Sequence, residues 1–300
     1  MKIPDIFKSI LKNEHKNSMK RVFITAAVIS FYILTACRNE STSVKGTLFI
    51  IGGGERTSAM MNELVDIAGI RNRGYMFVLP MASSIPDSAL IWAREDFTET
   101  GIKIIPGFNF RHGETPPGSQ LDSLRNASLI YISGGDQSRF MSVVLNTPVV
   151  DAIREAYKNG SVIAGTSAGA AVMSRKMITG NQKRYPETEE GFNTIEEGNV
   201  ELIEGLGLLP DVIIDQHFIK RQRLNRLVAA AIENPDQLCA GIDESTAIVV
   251  KDNVARVTGK GQVVVIRNSV GTKTIQDGLL GSDKLELSVY LPGQSFKLIR

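Results

Sequence analysis

Cysteine and histidine are the scarce chemistry of this chain. Among 300 residues there are 2 cysteines, Cys37 and Cys239, and 3 histidines, His15, His112 and His217. Two cysteines cannot build a disulfide framework, and no Cys/His cluster has the spacing of a metal site. An excess of one charge is also missing: 34 Lys+Arg stand against 32 Asp+Glu, a formal net charge of +2. Residues 1–36 hold six Lys or Arg and two Asp or Glu, so the rest of the chain carries −2. That leaves no basic surface for nucleic acid. No apolar run reaches the roughly 20 residues of a comfortable membrane span. What is present, a hydrophobic share of 43%, belongs to an ordinary globular chain rather than a disordered one.

Residues 1–43 read as a leader and linker. Met19-Lys20-Arg21 offers a second start with a basic region, and the apolar run Val22 to Ala36 follows. A basic stretch, a short apolar stretch and a small-residue site make a secretory signal. Its end, Leu34-Thr35-Ala36-Cys37, resembles the bacterial lipobox, in which the cysteine becomes the lipidated first residue. The expectation is export, with Cys37 lipidated and the mature chain held at a bacterial membrane, on the periplasmic side or the cell surface. The competing reading is an uncleaved N-terminal anchor. Cys239 then has no thiol partner and is expected to fill a core position.

From Gly46 onward, apolar runs alternate with amphipathic stretches. Strands are expected at 47–51, 75–79, 102–105, 129–132, 161–167 and 212–218. Helices are expected at 58–70, 86–99, 137–145, 149–159 and about 219–233. Uninterrupted apolar strands alternating with helices predict a mostly parallel sheet covered on both faces, an α/β sandwich of three layers. Short strands from 238 onward predict antiparallel hairpins that extend the sheet or pack on it. No repeat or internal linker divides residues 44–300, which read as one domain. The stretch 180–200, with Glu187, Glu189, Glu190, Glu196 and Glu197, reads as a surface loop or lid.

In such sheets ligands bind beyond the carboxyl ends of the strands. Three glycine-rich turns fall at strand ends, at 52, 134 and 165. The third is Gly165-Thr166-Ser167-Ala168-Gly169, the G-x-S-x-G spacing of a nucleophile elbow. A sharp strand-to-helix turn admits only small neighbours and lifts the serine hydroxyl above the sheet. Ser or Thr as a plain helix cap is the ordinary alternative. Gly52-Gly53-Gly54 lacks both the full dinucleotide fingerprint and the phosphate-loop lysine, so it reads as a tight turn bordering the crevice.

A nucleophilic serine needs a base. His15 lies in the leader and His112 in a loop, whereas His217 ends a buried strand on the side where the elbow lies. His112 is left as a substrate contact. The base needs a carboxylate to hold its tautomer. Asp243 and Glu244 end the next strand and Asp215 lies two residues before His217, and the residues alone leave these three open. On the helix that follows, at about 100° per residue, Arg221 falls near the apolar face, where it needs a partner such as Asp215. Arg223 and Arg226 lie on its polar side. Guanidinium groups beside a histidine suit recognition of substrate carboxylates.

Four motifs then resemble one family in order. They are Gly134-Gly135-Asp136-Gln137, Gly165 to Ala170, Asp215-Gln216-His217-Phe218 with Arg221, Arg223, Arg226 and Leu227, and Gly241-Ile242-Asp243-Glu244. Together they resemble the cyanophycinases, serine peptidases related to peptidase E. The resemblance spans about 46–270, so residues 44–300 become a single peptidase domain. It implies a fold similar to class I glutamine amidotransferases. It implies Ser167 as nucleophile, His217 as base, Glu244 as orienting acid, and the N–H groups of Gly135 and Ala168 as oxyanion donors. Gln137, Asp215, Gln216, Arg221, Arg223 and Arg226 match substrate-binding positions. The implied substrate is cyanophycin, a polyaspartate with arginine on its β-carboxyls, released as β-Asp-Arg dipeptides. Neither metal nor organic cofactor is implied, and a homodimer is the assembly to expect.

The leader departs from an intracellular enzyme that mobilises stored polymer. It favours scavenging of external polymer, or a different peptide. Two other readings compete: a peptidase E-like exopeptidase for other Asp-containing peptides, and a non-catalytic peptide-binding surface lipoprotein.

Overall fold

The computed structural model describes residues 46–188 and 191–299. The expectations placed on residues 1–43, Cys37 included, and on Glu189 and Glu190 lie outside the described residues. The chain runs β1 (Thr47–Ile51), α1 (Ser58–Ala68), β2 (Met76–Leu79), α2 (Pro86–Asp96), α3 (Gly118–Arg125) and β3 (Leu129–Ile132). It continues through α4 (Gln137–Val144), α5 (Pro148–Asn159), β4 (Val162–Thr166), α6 (Ala168–Ala171), β5 (Lys176–Gln182), β6 (Val200–Glu204), β7 (Val212–Gln216) and α7 (Leu224–Glu233). The remaining strands are β8 (Leu238–Ile242), β9 (Thr246–Lys251), β10 (Val254–Gly259), β11 (Val263–Arg267), β12 (Thr274–Gln276), β13 (Leu279–Gly281), β14 (Glu286–Tyr290) and β15 (Ser295–Lys297).

The main sheet has the order β15-β10-β9-β1-β4-β3-β2. Its four strands β1, β4, β3 and β2 are parallel, and β9, β10 and β15 continue it antiparallel. The fully buried strands explain why their sequences are apolar without alternation. Alternate residues feed two layers. Leu48, Ile50, Ile130, Ile132 and Ile163 pack towards α3, α4 and α5. Phe49, Ile51, Val78, Leu129, Tyr131 and Ala164 pack towards α1 and α2. Caps set the helix starts: Asp136 accepts from Arg139 N, and Thr147 from Val149 N ahead of Pro148.

A second sheet, β14-β11-β8-β7, stands beside the first. Its β7 and β8 are parallel, and α7 covers one face through Leu227, Ala230 and Ala231 against Ile213, Cys239 and Ile266. Cys239 is fully buried there, and burial pushes its thiol pKa up. Thus the C-terminal strands divide between two sheets, β8 and β11 in one, β9 and β10 in the other. The tight turn Asp243–Ser245, with Ser245 at φ 52, carries the chain across that seam.

Two expected elements take another form, and α3, β5 and β6 arise where none was expected. Residues 102–105 form no strand; Ile104 is 82% exposed, and the backbone of this segment meets β2 at the isolated bridge Val78–Gly107. Pro106 has no N–H for a ladder, so pairing is confined to Val78 N on Pro106 O and Phe108 N on Val78 O. The helix expected from 219 begins at Leu224. Asp243 captures the N–H groups of Ile219 and Lys220, and Gln222 takes φ 52, outside the right-handed helical region. Within 183–199 the charges are partly internal: Tyr185 donates to buried Glu196 at 3.1 Å, and Glu197 pairs with Lys273 at 3.1 Å. No helix of the described residues is long and apolar enough to cross a membrane.

Candidate active site

The carboxyl ends of β4, β7 and β8 meet at the seam between the two sheets. Ser167 follows β4 with φ 54 and ψ −112, a backbone conformation that a non-glycine residue holds only when its surroundings impose it. The surroundings are tight. A Cβ on Gly165 would lie 2.2 Å from Gly169 O, and one on Gly169 would lie 2.3 Å from Ile132 O. Both glycines of the elbow are therefore required by close backbone approach. Ser167 N–H donates to Ile51 O at 3.0 Å, tying the elbow to β1.

His217 follows β7, also with positive φ, at 49°. Its Nε2 lies 2.8 Å from Ser167 Oγ and its Nδ1 lies 2.6 Å from Glu244 Oε1. One tautomer serves both bonds: the Nδ1 proton goes to the carboxylate, and Nε2 accepts from the serine hydroxyl. Burial holds the imidazole pKa below its ordinary value; the Glu244 bond opposes this, and the Arg221 and Arg223 cations reinforce it. The ring is therefore neutral and able to accept a proton at neutral pH.

Of the three open carboxylates, only Glu244 reaches His217. Asp243 points instead at backbone, accepting from Ile219 N at 3.1 Å and Lys220 N at 2.9 Å. Asp215 is fully buried and held by Arg226, whose Nε lies 2.7 Å from Oδ2 and whose Nη2 reaches Oδ1. The expected Arg221–Asp215 pair is thus replaced by Arg226–Asp215. The later helix start rotates Arg226 inward, 4% exposed, and leaves Arg221 exposed. Arg223 donates through Nη1 to Gln216 O and Oε1, both at 2.5 Å, and lies 3.6 Å from Asp215. Burial and the neighbouring Arg226 cation push its pKa down to about 10. Gln137 donates through Nε2 to the carbonyls of Ile178 and Thr179 on β5.

Gly134 and Gly135 pass close beside the serine. A Cβ on Gly134 would meet Ser167 Cβ at 3.4 Å, and Gly135, at φ 139, packs against Ala82 O. Ala168 opens α6, directly after Ser167. The first glycine turn, expected to border the crevice, lines the cavity at Ser167 and also supports the site from beneath. His217 N–H donates to Gly52 O at 2.7 Å, and Ser245 N–H to Gly53 O at 2.8 Å. A Cβ on Gly53 would fall 2.3 Å from the His217 ring, and one on Gly54 2.7 Å from Glu244 Cβ. Three consecutive glycines were the available signal: two side chains of the site rest on them. His112 is exposed, bonded to Ser142 O at 2.6 Å, and takes no part in lining the cavity at Ser167. That cavity is about 290 Å³ and opens between the glycine turns and α2.

A serine on a strand–helix elbow, with an imidazole and a carboxylate in hydrogen-bonded series, defines an α/β serine hydrolase. Comparison with known proteins narrows the class. Residues 48–258 match Peptidase family S51. A cyanophycinase from Nostoc sp. is 36% identical over 232 residues, 75% of this chain and 74% of the relative. One from Geminocystis herdmanii is 32% identical over 254 residues, 81% of this chain and 89% of the relative. The crystal structure of a peptidase from an acI-B1 Actinobacterium superposes with a TM-score of 0.65 at 21% identity, over 85% of this chain and 98% of that one, which supports the fold. The chain belongs to Peptidase family S51 and is a serine-type peptidase.

Proposed function

We propose that this peptidase is exported and hydrolyses cyanophycin, or closely related β-aspartyl peptides, through Ser167, His217 and Glu244. The observation that carries the reading is the series Ser167 Oγ, His217 Nε2, His217 Nδ1 and Glu244 Oε1, linked at 2.8 and 2.6 Å. In this reading Ser167 Oγ attacks the scissile carbonyl carbon while His217 Nε2 takes its proton. Glu244 stabilises the imidazolium that results. The N–H groups of Gly135 and Ala168 receive the oxyanion. Collapse of the tetrahedral species returns the proton to the leaving amine, and water, activated by the same imidazole, releases the acyl group.

The relatives named above are called cyanophycinases, which favours a peptide rich in aspartate. Exposed Arg221, close enough to His217 to act on its charge, is the cation best placed for a substrate carboxylate. Arg223, Arg226 and Asp215 already bind one another or Gln216, so they act as a preorganised wall behind Arg221. Gln137 and Gln216 complete that wall. Product analysis after incubation with cyanophycin, beside α-Asp-X dipeptides, tests the substrate. Release of β-Asp-Arg supports it, and cleavage of the α-dipeptides alone would transfer the chain to the peptidase E-like reading. Ser167→Ala should reduce hydrolysis at least about 1,000-fold with an unchanged melting curve. Undiminished turnover would sink the serine mechanism. The leader is read as a lipoprotein signal ending at Cys37. Cys37→Ser should move the protein from the membrane fraction to the soluble one, and an unchanged distribution would refute lipid anchoring.

A further inference from the structure

The helix α2 turns one face towards the cavity at Ser167, and that face carries an aromatic ring without a partner. Ala89, Trp92, Ala93 and Asp96 all line this cavity. At about 100° per residue they fall within one arc of about 100° on the helix. The two alanines are buried, whereas Trp92 is 51% exposed. It is the one tryptophan of the chain. Among the described residues its indole enters no ring–ring contact, no cation–ring contact and no hydrogen bond. A large aromatic face beside the nucleophile is thus open to whatever enters from solvent.

The charged groups nearby are already engaged with one another. Arg56 Nε and Nη2 clasp the two Asp96 oxygens at 2.9 and 3.0 Å, and Nη1 donates to Gly54 O at 2.5 Å. The buried Tyr131 hydroxyl interacts with the same pair. Cation and anion cancel as a unit, so recognition at this end of the cavity falls to Trp92. A carboxylate gains nothing from the negative face of an indole. A plain aliphatic side chain needs an enclosed apolar pocket, and here half of the indole stays in water. An arginine side chain meets both conditions. Its methylene stem can lie along Ala89 and Ala93 and its planar guanidinium on the indole, while its N–H edges keep their water.

We propose that Trp92 is a specificity-determining residue, the platform on which the guanidinium of a substrate arginine stacks while Ser167 faces the scissile carbonyl. The assignment rests on the arginine-bearing aspartyl substrate proposed above and names the group that recognises its side chain. The two charges of that substrate then part company: Arg221 takes a carboxylate, and Trp92 takes the arginine.

The test uses the full chain carrying Ser167→Ala, titrated with β-Asp-Arg and with β-Asp-Leu. Affinity is read by calorimetry, and occupancy of the platform by the emission of the sole indole. β-Asp-Arg should bind about tenfold more tightly than β-Asp-Leu, and its saturation should shift or quench the emission. Adding Trp92→Leu should bring the ratio close to one. Adding Trp92→Phe, which keeps a weaker aromatic face, should hold an intermediate ratio. The side chain is exposed, so both variants should keep the melting curve of their parent. An indole that merely shields α2 would weaken both peptides alike and leave the ratio intact. Equal binding of the two peptides, a ratio untouched by Trp92→Leu, emission unmoved at saturating β-Asp-Arg, or no binding of either peptide overturns the platform. Hydrolysis of cyanophycin by the chain with Ser167 intact reads the substrate separately. Release of β-Asp-Arg with a ratio that survives Trp92→Leu rejects the platform alone. No release, with a ratio that depends on Trp92, rejects the polymer reading alone.

Discussion

His217 carries opposing influences on one ring. Burial and two arginines disfavour its protonated form, while Glu244 favours it. In the proposed mechanism His217 must be neutral to act as base, so kcat/KM should rise with pH through an apparent pKa below the ordinary histidine value of about 6.5. The arginine and carboxylate effects have opposite signs. Arg221→Gln removes a cation that repels the imidazolium, so the inflection should move to higher pH. Glu244→Gln removes the anion that stabilises it, so the inflection should move lower, with a fall in rate as the ring loses its orienting partner. Profiles at low ionic strength measure both, because salt screens the Arg221 effect. Shifts in the same direction would contradict the electrostatic account.

The elements of the site are held by short turns rather than by long ones. Gly52 to Gly54 ends β1 and accepts from both His217 and Ser245. Gly53→Ala combines φ 112 with a Cβ 2.3 Å from the imidazole. The ring must move, so activity should fall by about 100-fold and stability by about 1–3 kcal/mol, read from kcat/KM and thermal unfolding. Asp243 pins the first turn after His217 as a helix cap would. Asp243→Ala should cost about 1 kcal/mol and lower kcat more than it raises KM, since the chain carrying His217 is loosened. Asp243→Asn keeps an acceptor oxygen and should restore most of both. A variant as active as the parent would remove the turn from the positioning machinery.

At the scale of the whole molecule, two sheets meet at a seam, and the site is the seam. Ser167 comes from the main sheet, His217 from the second, and Glu244 from the turn that crosses between them. The buried pair Asp215–Arg226 fastens β7 to α7 behind that seam, with side chains 0% and 5% exposed. Removing one partner strands the other charge, so Asp215→Ala should destabilise by about 3–5 kcal/mol in denaturant melts. A loss under about 1 kcal/mol would mean that water reaches Arg226 and that the pair is not a structural clamp.

The parallel strands, their order along the chain, the elbow at Ser167 and the elimination that left His217 were legible in the residues. Apolar runs, glycine spacing and residue scarcity are local properties, and local properties survive in a linear string. The carboxylate was not legible in that way: Asp215, Asp243 and Glu244 are equivalent as residue types, and the family resemblance alone favoured Glu244. Distance separates them in the fold, with one on the imidazole, one on backbone N–H groups and one on Arg226. Nor could periodicity foresee that Asp243 would delay the helix to Leu224, which turned Arg226 inward and freed Arg221. The use of Gly53 and Gly54 as platforms for His217 and Glu244 joins positions more than 160 residues apart. Such contacts arise only when the two sheets close, because steric fit and electrostatic pairing depend on separation in space, which sequence order does not encode.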